Sequence, residues 1–115
     1  MSLGFSMDET TFDDKKLKGA VAELGNAIIA IFWEGDEPRL GTLTVTLPNR
    51  ISSLLLGDRN LILGQLVGEQ LAAVCGKMAL VSTNLPLSAE GAAAKPLLDL
   101  AKKLVSVSAR DRSRG

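Results

Sequence analysis

Residues Ala27 to Trp33, AIIAIFW, form an unbroken apolar run rich in β-branched and aromatic side chains. A run this short fits a strand, and a strand apolar at every position is buried on both faces. This stretch constrains the fold more than any other. Its neighbours on each side must complete a sheet around it.

The preceding stretch, Leu17 to Leu24 (LKGAVAEL), is also short and apolar enough for a strand. Gly25-Asn26 between them reads as a tight turn, because both residues tolerate positive φ. The two runs therefore predict a β-hairpin. Glu34 to Gly41 is a polar loop broken by Gly35, Pro38 and Gly41. Thr42 to Leu47 (TLTVTL) alternates strictly, with Leu43, Val45 and Leu47 on one side and Thr42, Thr44 and Thr46 on the other. That pattern predicts a half-buried strand with one side toward solvent or a second layer. Pro48-Asn49 ends it, and the connectivity favours an antiparallel neighbour.

Ser52 to Asn60 (SSLLLGDRN) then connects this strand to a helix. Connections normally run over the surface, where leucine gains nothing. Leu54, Leu55 and Leu56 are buried either in the chain's own core or against another protein. Asp58 or Asn60 caps the helix that follows. Within Leu61 to Cys75, Leu63, Leu66, Val67, Leu71 and Val74 recur at helical spacing, and Gly76 sits where a left-handed C-terminal cap belongs. Met78 to Leu85 (MALVSTNL) is a further strand, stopped by Pro86. Ser88 is a candidate cap for a last helix, with Pro96 as an alternative start. Leu97, Leu98, Leu100, Ala101 and Leu104 supply its buried stripe, and the helix is expected to fray from Val105 onward.

Strands first and helices later predict an α+β domain, with an antiparallel sheet packed against two main helices. The domain is expected over residues 17–105. Residues 1–16 are polar and irregular, with Phe5 and Phe12 isolated, and form either a loosely held first strand or a flexible segment. Residues 106–115 are expected to be a disordered basic tail.

The whole chain has 115 residues, one domain's worth, and balances 13 basic against 13 acidic side chains. A neutral chain has no general field for a phosphate backbone, so nucleic-acid binding is disfavoured. No apolar run is long enough to span a bilayer, so no membrane association is expected. The start of the chain carries no secretory signature. Cys75 is the only cysteine, which excludes an internal disulfide framework and suits a reducing compartment. The expected location is the cytoplasm, with the nucleus also open. The chain contains no histidine, which removes Ser-His-Asp and Cys-His nucleophile arrangements and histidine-ligated zinc sites.

The remaining catalytic candidates read better as structure. Asp13-Asp14 and Asp36-Glu37 are adjacent acids in polar loops, expected to point into water, whereas a catalytic carboxylate pair needs one member desolvated. Gly57 precedes a helix, but LLGDRN lacks the Gly-x-x-x-x-Gly-Lys pattern and Asp58 repels phosphate. Cys75 closes a helix, where the dipole raises a thiol's pKa, so a packing role is favoured over a reactive one. No cofactor or metal site is expected. Gly64, Gly68 and Ala72 recur every fourth residue and form a smooth strip on the helix. Two helical glycines imply a close approach, either by the chain's own sheet or by a partner's element.

Taken in order, AIIAIFWEG, LGTLTVTL, SSLLLGD, LGQLVGEQLAAVCGKMALVSTNL and AAKPLLDLAKKL resemble the small proteasome-assembly chaperones. The resemblance runs from about Leu17 to Leu104. It lies with the third and fourth chaperones of that set, and most with the fourth. Leu55-Leu56-Gly57-Asp58, followed by a helix and an apolar strand ending Ser82-Thr83-Asn84-Leu85, carries most of it. The first strand is less obvious than in the family, and aromatics are unusually few.

The resemblance implies a non-enzymatic protein. It implies pairing with a related chaperone as a heterodimer, with a homodimer open in isolation. It also implies binding to α-subunits of the 20S proteasome during α-ring assembly. Leu54, Leu55, Leu56, Asp58, Gly64 and Gly68 are then the candidate partner-binding residues.

Two rival functions stand beside it. One is a small dimeric scaffold of the roadblock or longin kind, serving GTPase or trafficking complexes. The other is an enzyme working by carboxylates alone, for which only Asp99 lies in apolar sequence.

Overall fold

The computed structural model describes residues 4–12, 14–49, 51–57, 61–85 and 94–114. Six strands and two helices follow in the order β1 (Ser6–Phe12), β2 (Lys15–Glu23), β3 (Ala27–Glu34), β4 (Thr42–Thr46), β5 (Ser52–Leu56), α1 (Leu61–Cys75), β6 (Met78–Asn84) and α2 (Ala94–Arg114). The strands form one sheet in the order β1-β2-β3-β6-β4-β5. The domain is α+β, as the element order predicts.

Every neighbouring pair is antiparallel except β3 and β6. The antiparallel sheet expected from sequence is present, with this one parallel pair in it. The cause is topological. β6 returns after α1 and inserts between β3 and β4, so β4 pairs with β6 rather than with β3.

The polar N-terminal segment forms β1, an edge strand paired with β2 along its whole length. The β2–β3 hairpin turns at Gly25-Asn26 as expected, with the Leu24 amide donating to the Ala27 carbonyl at 2.7 Å. Neither turn residue takes a positive φ; among the described residues that conformation belongs to Asp14, Gly35, Gly57 and Gly76. Gly76 ends α1 as the periodicity predicts. Its φ is 65°, and its amide reaches back to the Ala72 carbonyl at 2.8 Å.

Two further readings are corrected. Ser52 to Leu56 is an edge strand and not a loop. Three identical leucines carry no alternation, so only the pairing with β4 gives them strand geometry. The backbone of α2 stays helical through Arg114, past the Val105 end expected from sequence, and no Gly or Pro interrupts it after Pro96. The caps read at Asp58, Asn60 and Ser88 lie outside the described residues.

Both helices pack on the same face of the sheet. Phe32 and Leu104 of α2 close over Gly19, where an added Cβ would meet the Phe32 ring at 2.8 Å. α1 lies over β4 and β6, with Gly64 beside Thr44 and Thr83 and Gly68 beside Thr46 and Val81. The core sits between this face and the helices. It is built from Leu17, Val21, Ile28, Ala30, Phe32, Ala79 and Val81 below, and from Leu63, Val67, Leu71, Leu97, Leu100 and Leu104 above.

Candidate functional site

The strand registers sort the paired strand residues onto two faces, with Leu55 skipped at the β4–β5 irregularity. On the helix side, one row runs Val21, Ala30, Val81, Thr44 and Leu54. On the opposite side, one row runs Ala22, Ile29, Leu80, Val45 and Ser53, and the next Ala20, Ile31, Ser82, Leu43 and Leu56. Among the described residues, no helix lies on this second face.

The open face is therefore apolar at its centre. Ile29, Ile31, Leu43, Val45 and Leu80 are each half-buried by their neighbours in the sheet, and the ring around them contains Met78 and Leu56. These five residues lie on three adjacent strands, β3, β6 and β4, so the apolar part is the middle of the face and spans roughly 14 by 17 Å at about 4.8 Å strand spacing and 3.3 Å rise. An apolar cluster left without a second layer on a sheet face is a candidate protein contact site. Its edges are charged: Lys18 pairs with Asp36 at 3.3 Å at one end. An apolar centre with a polar rim is the anatomy of a protein interface.

The alternating strand β4 explains how the face arises. Hydrophobicity alone would turn Leu43 and Val45 inward. The structure turns Thr42, Thr44 and Thr46 inward instead, all within 3% of full burial. The reason is the glycine strip on α1. A Cβ added at Gly68 would run into the Thr46 hydroxyl, and one at Gly64 would meet Thr44 Oγ1 at 3.3 Å. Leucine would not fit under a helix this close. The short threonines do, and the aliphatic side of β4 is left facing outward.

The residues singled out from sequence separate accordingly. Gly64 and Gly68 are buried against the chain's own sheet, which supplies the close approach that two helical glycines predict. Leu54, Leu55 and Leu56 are exposed, at 43%, 54% and 54%, on the outermost strand. They are not part of the core. Leu56 joins the open face opposite Leu43, while Leu54 lies on the helix side at the edge. Asp58 lies outside the described residues. The open-face residues Ile29, Ile31, Leu43, Val45 and Leu80 were missed as a site. The signals for them were the unbroken AIIAIFW run and the Leu/Val alternation of β4.

Nothing in the described residues gathers catalytic groups. Asp36, Glu37 and Asp99 are all exposed, so none sits in the desolvated pocket that carboxylate acid-base work needs. No group of three or more His, Cys, Asp or Glu side chains converges on one point among the described residues. Among the described residues, no helix is long and apolar enough to cross a membrane.

The fold can be set beside known structures. No family model matches the sequence, and no curated protein matches it. A chain from the crystal structure of a novel chaperone complex for yeast 20S proteasome assembly superposes with a TM-score of 0.74. The two chains are 13% identical, and the match covers 93% of this chain and 98% of that one. The likeness therefore spans both molecules from end to end and is one of fold.

Proposed function

We propose that this protein is a non-enzymatic assembly chaperone that pairs, through the open face of its sheet, with a related chaperone. The dimer binds α-subunits of the 20S proteasome and promotes closure of the α-ring. It acts in the cytoplasm or nucleus and needs no cofactor.

One observation carries the pairing. The β3 strand is apolar on both faces, yet the chain's own helices cover only one. Ile29 and Ile31, with Leu80, Leu43 and Val45 beside them, then have a second layer only when another sheet stacks on them, about 10 Å away. A partner of the same fold offers such a sheet. The proteasome reading draws its support from the shared fold with a chain of the yeast assembly complex and from the ordered sequence resemblance. The roadblock or longin reading is weakened by the element order. Its usual order has a helix between early strands, whereas five strands precede α1 here.

The test is affinity capture of the tagged protein from its native cytosol, with recovered proteins identified by mass spectrometry. Free α-subunits together with one similar-sized partner are expected. Recovery of GTPases or tethering factors without proteasome subunits would overturn the proposal in favour of the scaffold reading.

A further inference from the structure

The two edges of the sheet are built differently. β1 is guarded. It carries Asp8 and Glu9, and Asp8 turns inward to meet Lys103 of α2 at 3.3 Å. Inward-pointing charge on an edge strand is a device against pairing with other chains. β5 has no such guard. From Ile51 to Gly57 there is no charged side chain and no proline, and Leu54, Leu55 and Leu56 are all exposed.

The ladder shows which main-chain groups this edge offers. The Leu47 amide donates to the Ile51 carbonyl at 2.9 Å, so that pair is a hydrogen-bonded one. In an antiparallel ladder such pairs alternate with non-bonded ones. Ser52 opposite Thr46 is then non-bonded, Ser53 opposite Val45 bonded, and Leu54 opposite Thr44 non-bonded. The 2.8 Å contact between the Thr46 and Ser52 hydroxyls agrees, since side chains approach more closely at non-bonded pairs. The amides and carbonyls of Ser52 and Leu54 therefore point away from β4. Among the described residues no strand lies beyond them. The irregularity in the β4–β5 register falls past Leu54, so Ser52 to Leu54 is regular strand.

We infer that the outer edge of β5 takes up an extended, uncharged segment of the client subunit as a seventh strand, bonded to Ser52 and Leu54. This rests on the assembly-chaperone reading. The proposed sister stacks on the open face, and stacking of that kind leaves the sheet edges free. Leu56 belongs to both surfaces, so the client segment would lie against the rim of the dimer contact. An edge of this kind reads mainly backbone, with side-chain pockets adding selectivity. The lack of charge on β5 selects an occupant that also lacks it, because an unpaired charge laid along three exposed leucines loses water without gaining a partner.

Residue-resolved amide exchange tests this on the chaperone dimer, alone and with purified 20S α-subunits presented one at a time. In the dimer alone, the Ser52 and Leu54 amides are expected to exchange fast and the Ser53 amide slowly. A bound α-subunit is expected to slow Ser52 and Leu54. Leu54→Pro removes an outward amide without touching the β4 ladder, and Leu54→Lys keeps the amide but adds a charge. Each is expected to weaken α-subunit binding by about tenfold, the order of one lost hydrogen bond for Leu54→Pro and of one poorly solvated charge for Leu54→Lys, with sister binding unchanged. An α-subunit that binds while both amides stay fast, or that binds Leu54→Lys as tightly as wild type, overturns the inference. So does protection that appears on concentrating the dimer without client, which would make a second copy the occupant. If no α-subunit binds the wild-type dimer, the assembly-chaperone reading itself falls.

Discussion

The Lys77 ammonium lies 2.7 Å from Glu23 Oε2 and 2.8 Å from the Leu24 carbonyl, tying the start of β6 to the end of β2 across β3. The Glu23 side chain is 6% exposed and that of Lys77 19%. Removing one member of a buried pair costs more than the pair itself contributes, because the other charge stays behind. Lys77→Met is therefore expected to lower stability by about 2 kcal/mol. Glu23→Gln keeps an acceptor for the ammonium and is expected to cost less, about 1 kcal/mol. Urea unfolding of both variants checks the order. Equal losses, or none, would show that the contact does not anchor the hairpin.

Gly68 and Gly64 make opposite predictions although both are glycines in one helix. Replacing either by alanine improves helix propensity by about 1 kcal/mol. At Gly68 the new methyl would run into the Thr46 hydroxyl, which is held by Ser52, and would sit 3.2 Å from Thr46 Cβ. Gly68→Ala is expected to be destabilising by about 1–2 kcal/mol net. At Gly64 the nearest atom would be 3.3 Å away, and Gly64→Ala is expected to be neutral or stabilising. Thermal melts of the two variants decide it. If the strip served a partner, both would melt like wild type and lose binding instead.

These two glycines also show where sequence reasoning reached and where it stopped. The spacing of Gly64, Gly68 and Ala72 announced a close approach, but spacing cannot say to what; the answer lies in Thr44 and Thr46, twenty residues or so upstream. The AIIAIFW strand, the TLTVTL alternation, the 61–75 helix and its Gly76 cap were all legible, because each rests on local period or on one backbone conformation. β1 was legible only as one of two alternatives, because SMDETTF lies at a sheet edge and shows no apolar period. β5 was not, because three leucines in a row read alike in any register. The parallel β3–β6 pair was invisible for a different reason. It depends on where the chain returns, and no residue of β6 encodes that alone. The open face was half legible: the apolar run demanded two covers, and only the fold reveals that one is missing.

Thr44 and Thr83 carry a cost that the helix contact imposes. Both hydroxyls are buried, and neither has a hydrogen-bond partner among the described residues. A buried hydroxyl without a partner is worse than a methyl of the same shape. Thr44→Val is expected to stabilise the protein by about 1 kcal/mol. Thr46→Val, which loses the bond to Ser52, is expected to destabilise it by about the same amount. Denaturant midpoints of the pair read the two signs directly. A loss of stability in Thr44→Val would mean that its hydroxyl is solvated.

Asp8 gives the fold an acid-sensitive contact. The Glu9 amide donates to Asp8 Oδ1 at 2.7 Å and lowers the carboxyl pKa most; Lys103 lowers it further, against a rise from partial burial. A carboxylate whose pKa falls on folding adds stability above its unfolded pKa of about 3.9, and that stability is lost as pH falls through the lower folded value. Asp8→Asn keeps an acceptor and loses the charge. The variant is expected to be slightly less stable than wild type at pH 7, with the gap closing below about pH 4. Urea midpoints measured across that range test it. A gap that persists in acid would assign the role of Asp8 to shape and not to charge.

Leu80 stands at the centre of the open face, between Ile29 of β3 and Val45 of β4. In an isolated chain this position already touches water, so Leu80→Glu is expected to leave the fold intact. Against a stacked sheet the same carboxylate would be desolvated with no cation facing it, and burying an unpaired charge costs several kcal/mol. The substitution is therefore expected to abolish pairing with the related chaperone at concentrations where wild type pairs fully. Sedimentation gives the mass and circular dichroism the fold. Leu63→Glu serves as the contrast, since Leu63 is 1% exposed on the sheet-facing side of α1 and its substitution should unfold the chain. If Leu80→Glu pairs as wild type does, the two sheets do not meet face to face, and the second cover that β3 requires must come from elsewhere.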